Sequence, residues 1–209
     1  HIGHSEKVLF MRVFIAALVL IFSFQSIVRA DDIRDFQIEG ISVGDTLLDY
    51  FSEEEIEKEK KKRKLFKQKK GEYVSMLITD NPRFKVYEGV TLSWDPEDQD
   101  YELIGVTGHL YFRSDYNNCL KKRKEIIDSI EKIAGNVKKE DKGKNINSID
   151  KTGDSYFKEV SFVFSDGGWI RISCMNWSEK ITATNNWSDA LNVIIISKKM
   201  VKILSNNPY

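Results

Sequence analysis

The sequence predicts an α+β protein: a largely antiparallel sheet of about six or seven strands, two N-terminal helices of which the second is highly charged, and one helix packed on the sheet. Three observations predict it. Apolar residues alternate with period two from Tyr73 onward, a helical period runs from about Tyr116 to Ala134, and Ser165-Asp166-Gly167-Gly168 is a strong hairpin turn between two alternating runs.

The elements are expected in the following order. Residues 1–10 precede Met11 and are read as sequence upstream of the natural start. Residues 11–30 have the features of a cleavable secretory signal: Arg12 as a cationic start, a run from Val13 to Phe24 that is apolar but for Ser23, and Val28-Arg29-Ala30, which puts Val28 and Ala30 at the positions a signal peptidase reads. The apolar run is shorter than the ~20 residues that cross a bilayer and is followed by Asp31 and Asp32, so cleavage after Ala30 is favoured over an uncleaved anchor. Residues 31–209 are then expected to form a single globular domain in the periplasm or outside the cell.

Asp45 is the expected N-cap of a brief helix that buries Leu47, Leu48 and Phe51. Ser52 and Glu55 form an S-x-x-E capping box for a helix from Glu53 to about Gln68, with glutamates at 53, 54, 55, 57 and 59 ahead of most of its cations, in the order that complements a helix dipole. Strands follow: Val74, Met76 and Ile78 share one parity, Phe84, Val86, Val90, Leu92 and Trp94 another with a bend at Glu88-Gly89, and Ile104, Val106, Leu110 and Phe112 face the core after a turn at Asp95-Pro96-Glu97-Asp98. Ser114 or Asp115 caps the mid-chain helix and Gly135 closes it. Asn136 to Asp154 reads as a polar connection. The hairpin comes next, then Leu191–Ile196 as a central strand apolar on both faces, and a closing helix from Ser197 to about Leu204.

The whole chain carries 32 basic and 32 acidic residues. That balance argues against nucleic acid as the main partner, because phosphate binders carry a basic excess. Two cysteines are present. On the predicted helix Cys119 shares a face with Ile126, Ile130 and Ile133, and on the predicted strand Cys174 alternates inward with Ile170 and Ile172, so a disulfide is favoured over two buried thiols.

Other features have two readings each. Lys61, Lys62, Arg63 and Lys64 could touch anionic lipid headgroups, but the preceding glutamates favour a solvated helix. Asp95, Glu97, Asp98 and Asp100 concentrate oxygen ligands suited to calcium, without the glycine and distal glutamate of an EF-hand, which favours a solvated turn. His109, the one histidine after residue 30, has no ligand or nucleophile at a motif spacing and is read as a strand-surface residue. Asn176-Trp177-Ser178 and Asn186-Trp187-Ser188 repeat a triplet that matches a glycosylation acceptor, and Trp177 with Trp187 could clamp a peptide or sugar or simply cover the end of the sheet.

Residues 38–56, with Cys119 to Ile126 and Cys174 to Ser178, resemble a family of small exported proteins of marine alphaproteobacteria. That resemblance implies export and one domain and transfers no functional residue. Gly40-Ile41-Ser42 ahead of a short helix pair and a sheet also resembles small envelope proteins that assist outer-membrane barrel assembly, whose lipidated N-terminal cysteine this sequence lacks.

No pattern here calls for a cofactor. The expectation is a non-enzymatic exported module that binds a protein or envelope component. Its rivals are a hydrolase built on carboxylates such as Asp95, Asp98 or Asp100, and a carrier with an apolar cavity between sheet and helix.

Overall fold

The computed structural model describes residues 30–62, 66–67, 73–113 and 115–206. The upstream extension, the secretory signal up to Arg29, and Arg63 and Lys64 of the basic run lie outside the described residues. The side chains of Lys61 and Lys62 do too.

The protein is α+β, as its periodicities predict. Its sheet has eight strands, all antiparallel: β1 (Phe66–Lys67), β2 (Val74–Thr79), β3 (Gly89–Trp94), β4 (Leu103–Tyr111), β5 (Lys138–Ile146), β6 (Tyr156–Val163), β7 (Trp169–Asn176) and β8 (Ala190–Ile196), in the order β1-β2-β3-β4-β8-β7-β6-β5. The last strand in sequence therefore sits in the middle. Its composition explains the placement, since Leu191, Val193 and Ile195 are buried on one face and Ala190 and Ile196 on the other.

Four α-helices accompany the sheet: α1 (Glu53–Lys62), α2 (Tyr116–Ile133), α3 (Glu179–Asn185) and α4 (Lys198–Asn206). Helix α2 is capped by Asp115, whose carboxylate accepts from the Asn118 amide. It lies across β7 and β8 with Cys119, Ile127 and Ile130 inward. The disulfide joins Cys119 to Cys174 of β7, with the two Cα atoms 6.0 Å apart, and ties the helix to the centre of the sheet. Around it run Val160, Phe162, Ile170, Ile172, Leu191 and Val193, and the N-terminal segment adds Ile33, Phe36, Ile38, Ile41 and Val43. Helix α4 covers one end of the opposite face, where Met200 packs with Tyr73, Ile104 and Ile196. Among the described residues no helix is long and apolar enough to cross a membrane.

Several expectations are corrected. The capping box is present, with the Glu55 amide donating to Ser52 Oγ at 3.2 Å and the Ser52 amide to Glu55 Oε2 at 2.8 Å. The helix it starts ends at Lys62, short of Gln68, and Phe66–Lys67 already pairs with β2. Asp45 caps no helix. Residues Leu47–Asp49 make a single 3-10 turn capped by Thr46, and the Asp45 carboxylate accepts instead from the Ser42 amide and the Tyr50 hydroxyl. The Phe84–Glu88 stretch is a loop and Val86 is exposed, because the strand begins only at Gly89.

In β4 the register shifts opposite Ser93 and Trp94, so Leu103 joins the main core while Ile104 faces the opposite side. Ile133 is 44% exposed, since the helix face that meets the sheet is centred on Cys119, Ile127 and Ile130. Residues 138–146, expected as part of a polar connection, form edge strand β5, and residues 179–185, for which the sequence suggests no helix, form α3.

The hairpin between β6 and β7 closes as its sequence requires. Gly167 has φ +91°, the Asp166 carboxylate accepts from the Gly168 amide, and Phe164 and Gly168 pair across the turn.

Candidate functional site: a trough on the uncovered sheet face

Strand parity divides the sheet into two unlike faces. The face under α2 is apolar. The opposite face carries a continuous cross-strand row, Gly89, His109, Asn192, Ser173 and Glu159, one residue from each of β3, β4, β8, β7 and β6. The neighbouring row is Thr91, Thr107, Ile194, Arg171 and Ser161. Polar side chains thus make the floor, and two apolar walls rise from its ends. Helix α4 with Trp169 forms one wall, beside a hollow of about 230 Å³. At the other end Trp177 and Trp187 border a trough of about 670 Å³.

The trough is built by three segments. Strands β4, β7 and β8 supply His109, Tyr111, Met175, Ala190 and Asn192. The chain on either side of α3 supplies Trp177, Asn186, Trp187 and Ser188, and the β5–β6 connection brings Asn147 and Ile149 to the rim. Arg113 stands at the mouth, exposed and at φ +44°.

Each wall is held from behind. Ser178 caps α3 by accepting from the Ile181 amide, and its hydroxyl donates to Asp150 Oδ2 at 2.7 Å. Asp150 is buried and also accepts from the Ser155 hydroxyl at 2.6 Å and the Thr152 hydroxyl at 2.7 Å, a set of bonds that holds its carboxyl far below the usual carboxylate range. Asp189 Oδ1 accepts from the Trp177 amide at 2.8 Å, although burial raises the Asp189 pKa. The two tryptophan rings lie 4.6 Å apart at 55°. They touch each other and form one aromatic wall, with no room for a ligand ring between them.

On the floor, His109 Nδ1 lies 2.8 Å from Asn192 Oδ1 and Nε2 lies 2.8 Å from Thr91 Oγ1. An amide oxygen can only accept, so Nδ1 carries the proton and Nε2 accepts from the threonine hydroxyl. Burial lowers the His109 pKa against the opposing pull of Asn192, which keeps the ring neutral. Tyr111 stacks near it, 6.4 Å away and within 9° of parallel. Both imidazole nitrogens are therefore engaged, and the ring positions Asn192, whose Nδ2–H₂ group is left to the trough.

The remaining charges on this face are matched. Glu159, 4% exposed, pairs with Arg171 at 3.3 Å and Lys142 at 3.2 Å, and the Arg171 guanidinium lies over the Trp169 ring.

The structure brings together two of the residues singled out in the sequence, Trp177 and Trp187, and the cysteines. It does not bring Asp95, Glu97, Asp98 and Asp100 to a shared point. Asp95 accepts from the Glu97 amide and pairs with Lys199 at 2.8 Å, while Asp98 accepts from the Asp100 and Glu102 amides. Among the described residues no group of His, Cys, Asp and Glu is arranged to hold a metal ion. Sequence reading missed Asn192, undervalued His109, and took Ser188 only as part of an acceptor triplet. Odd or even position in a strand is the one mark on His109 and Asn192, which are 83 residues apart.

No family model, curated protein or solved structure matches this chain.

Proposed function

We propose that this chain is an exported, non-enzymatic binding module that takes its ligand in the trough between the Trp177–Trp187 wall and the His109–Asn192 floor. The observation that carries the reading is the pairing of an exposed aromatic wall with a rigid polar floor in a space of about 670 Å³, within the roughly 300–1,000 Å³ typical of small-ligand sites. The histidine supports a binding role through Asn192, whose amide it orients, while the hydroxyl it accepts from belongs to Thr91, which does not line the trough. A carrier cavity between α2 and the sheet has no support here, since that space holds Cys119, Ile127 and Ile130 against the sheet.

Export is supported by the disulfide, which persists in oxidising compartments, and by the secretory pattern in residues 11–30. Ala30 itself is buried and bridges to Ala134, with its amide donating to Ile133 and its carbonyl accepting from Gly135. Cleavage after Ala30 would remove that bridge and leave Asp31, which accepts from the Asn136 amide, as the first anchored residue.

The test is a ligand screen against isotope-labelled protein, reading the indole and amide signals of the trough. Binding shows as saturable shifts at Trp187 and Asn192 that Trp187→Ala abolishes. A screen of saccharides, peptides, fatty acids and nucleotides that moves none of these signals overturns the proposal.

A further inference from the structure

The lining of the trough also narrows the ligand class, on the reading that the trough is a binding site. Its free hydrogen-bonding groups are neutral and at both ends of the polarity scale: the Asn192 amide N–H₂, the Ser188 hydroxyl and the whole Asn186 amide, which projects from a left-handed residue at the end of α3. Beside them stands an apolar surface that is partly wet, the flat Trp187 ring, 38% exposed and tilted 55° from Trp177. Among the described residues one formal charge borders the space, the Arg113 guanidinium, and no carboxylate does.

Each common ligand class asks for something different. A peptide adding to the sheet needs an unpaired strand edge, but β4 and β8 are paired on both sides along this floor. A nucleotide or polyphosphate needs several cations or a glycine-rich phosphate loop. A fatty acid needs a closed apolar tunnel, and this trough is open, with His109 and Asn192 in its floor. A pyranose needs a flat aromatic surface for its C–H face and a ring of amides and hydroxyls for its equatorial oxygens.

We propose that the trough binds an acidic saccharide. A pyranose ring stacks on the Trp177–Trp187 wall, its hydroxyls bond Asn192, Ser188 and Asn186, and a carboxylate on that ring or the next pairs with Arg113. The lining supports this assignment, because the aromatic rings, the amides and the arginine all border one space. The paired carboxylate and guanidinium would make the bidentate contact that arginine favours.

Tryptophan emission and calorimetry with two probes test it: a glucuronic acid trisaccharide and the matching glucose trisaccharide. The acidic probe is expected to bind at least about tenfold more tightly than the neutral one at low salt. Trp187→Ala should abolish both, and Arg113→Gln should weaken the acidic probe at least about tenfold and so remove the preference. Equal binding of the two probes, or a preference that survives Arg113→Gln, overturns the acidic assignment. If neither trisaccharide shifts the trough signals while a peptide or fatty acid does, the saccharide assignment falls and the binding-module reading stands. If nothing shifts them, both fall.

Discussion

Tyr87 lies so close over Gly108 that a methyl group on that glycine would stand 2.5 Å from the tyrosine ring. The contact locks the Phe84–Glu88 loop to the middle of β4, on the face opposite His109. Gly108→Ala would force the ring and its loop away, and the expected loss is about 1–3 kcal/mol of stability, as for other overpacked cores. Urea unfolding of the variant checks the size. A paired Tyr87→Ala change should relieve the clash, recover part of the loss, and show that the steric contact is its origin.

Glu39 holds the same loop electrostatically. Burial disfavours its charge, but the amides of Lys85, Tyr87 and Val86 donate to it at 2.7–2.8 Å and hold its carboxyl below the usual value of 4.5. A group with a lowered folded pKa contributes stability above its unfolded value, and that contribution disappears as pH falls through the folded one. Glu39→Gln should therefore cost about 1 kcal/mol at neutral pH, discounted for its partly exposed position, and flatten the acid limb of the stability curve below pH 4.5.

His109 shows the opposite charge type with the same sign of pH dependence. Its folded pKa is lowered by burial, so the unfolded chain takes up a proton near pH 6.5 that the folded one resists. Stability is expected to decline as pH drops through 6.5, ahead of the carboxylates. His109→Gln, measured by denaturant midpoint at pH 8 and pH 5.5, should lose that step.

The disulfide closes a loop across 55 residues of sequence. The chain-entropy model gives such a closure roughly 4 kcal/mol. Cys119→Ala with Cys174→Ala should lower the guanidinium midpoint accordingly, and a reducing agent should lower the midpoint of the wild type and leave that of the double variant unchanged.

How legible the molecule was depended on what holds each part. The β6–β7 hairpin, β8, α2 and the cysteine pair were readable because apolar spacing and turn chemistry decide them locally. Strand β5 was not: Lys138-Lys139-Glu140-Asp141-Lys142-Gly143-Lys144 is almost wholly charged and exposed, and backbone pairing with β6 and contacts such as Lys142 with Glu159, rather than apolar burial, keep it in the sheet. Helix α3 was missed because Ile181-Thr182-Ala183-Thr184 has weak helical preference and depends on the Ser178 cap, itself anchored to Asp150 28 residues away. The trough was half legible. Two tryptophans in a repeated triplet drew notice, while the floor exists only once β4 and β8 lie side by side.

The outer strand β5 has a further consequence. Its open hydrogen-bonding edge is lined with lysines and acids and kinked at Asp141–Gly143, and among the described residues the edge at the other end is the short strand Phe66–Lys67. Charges and a kink on such a border disfavour its zipping with a neighbouring molecule into a shared ribbon, a feature that would keep each groove clear at high local concentration.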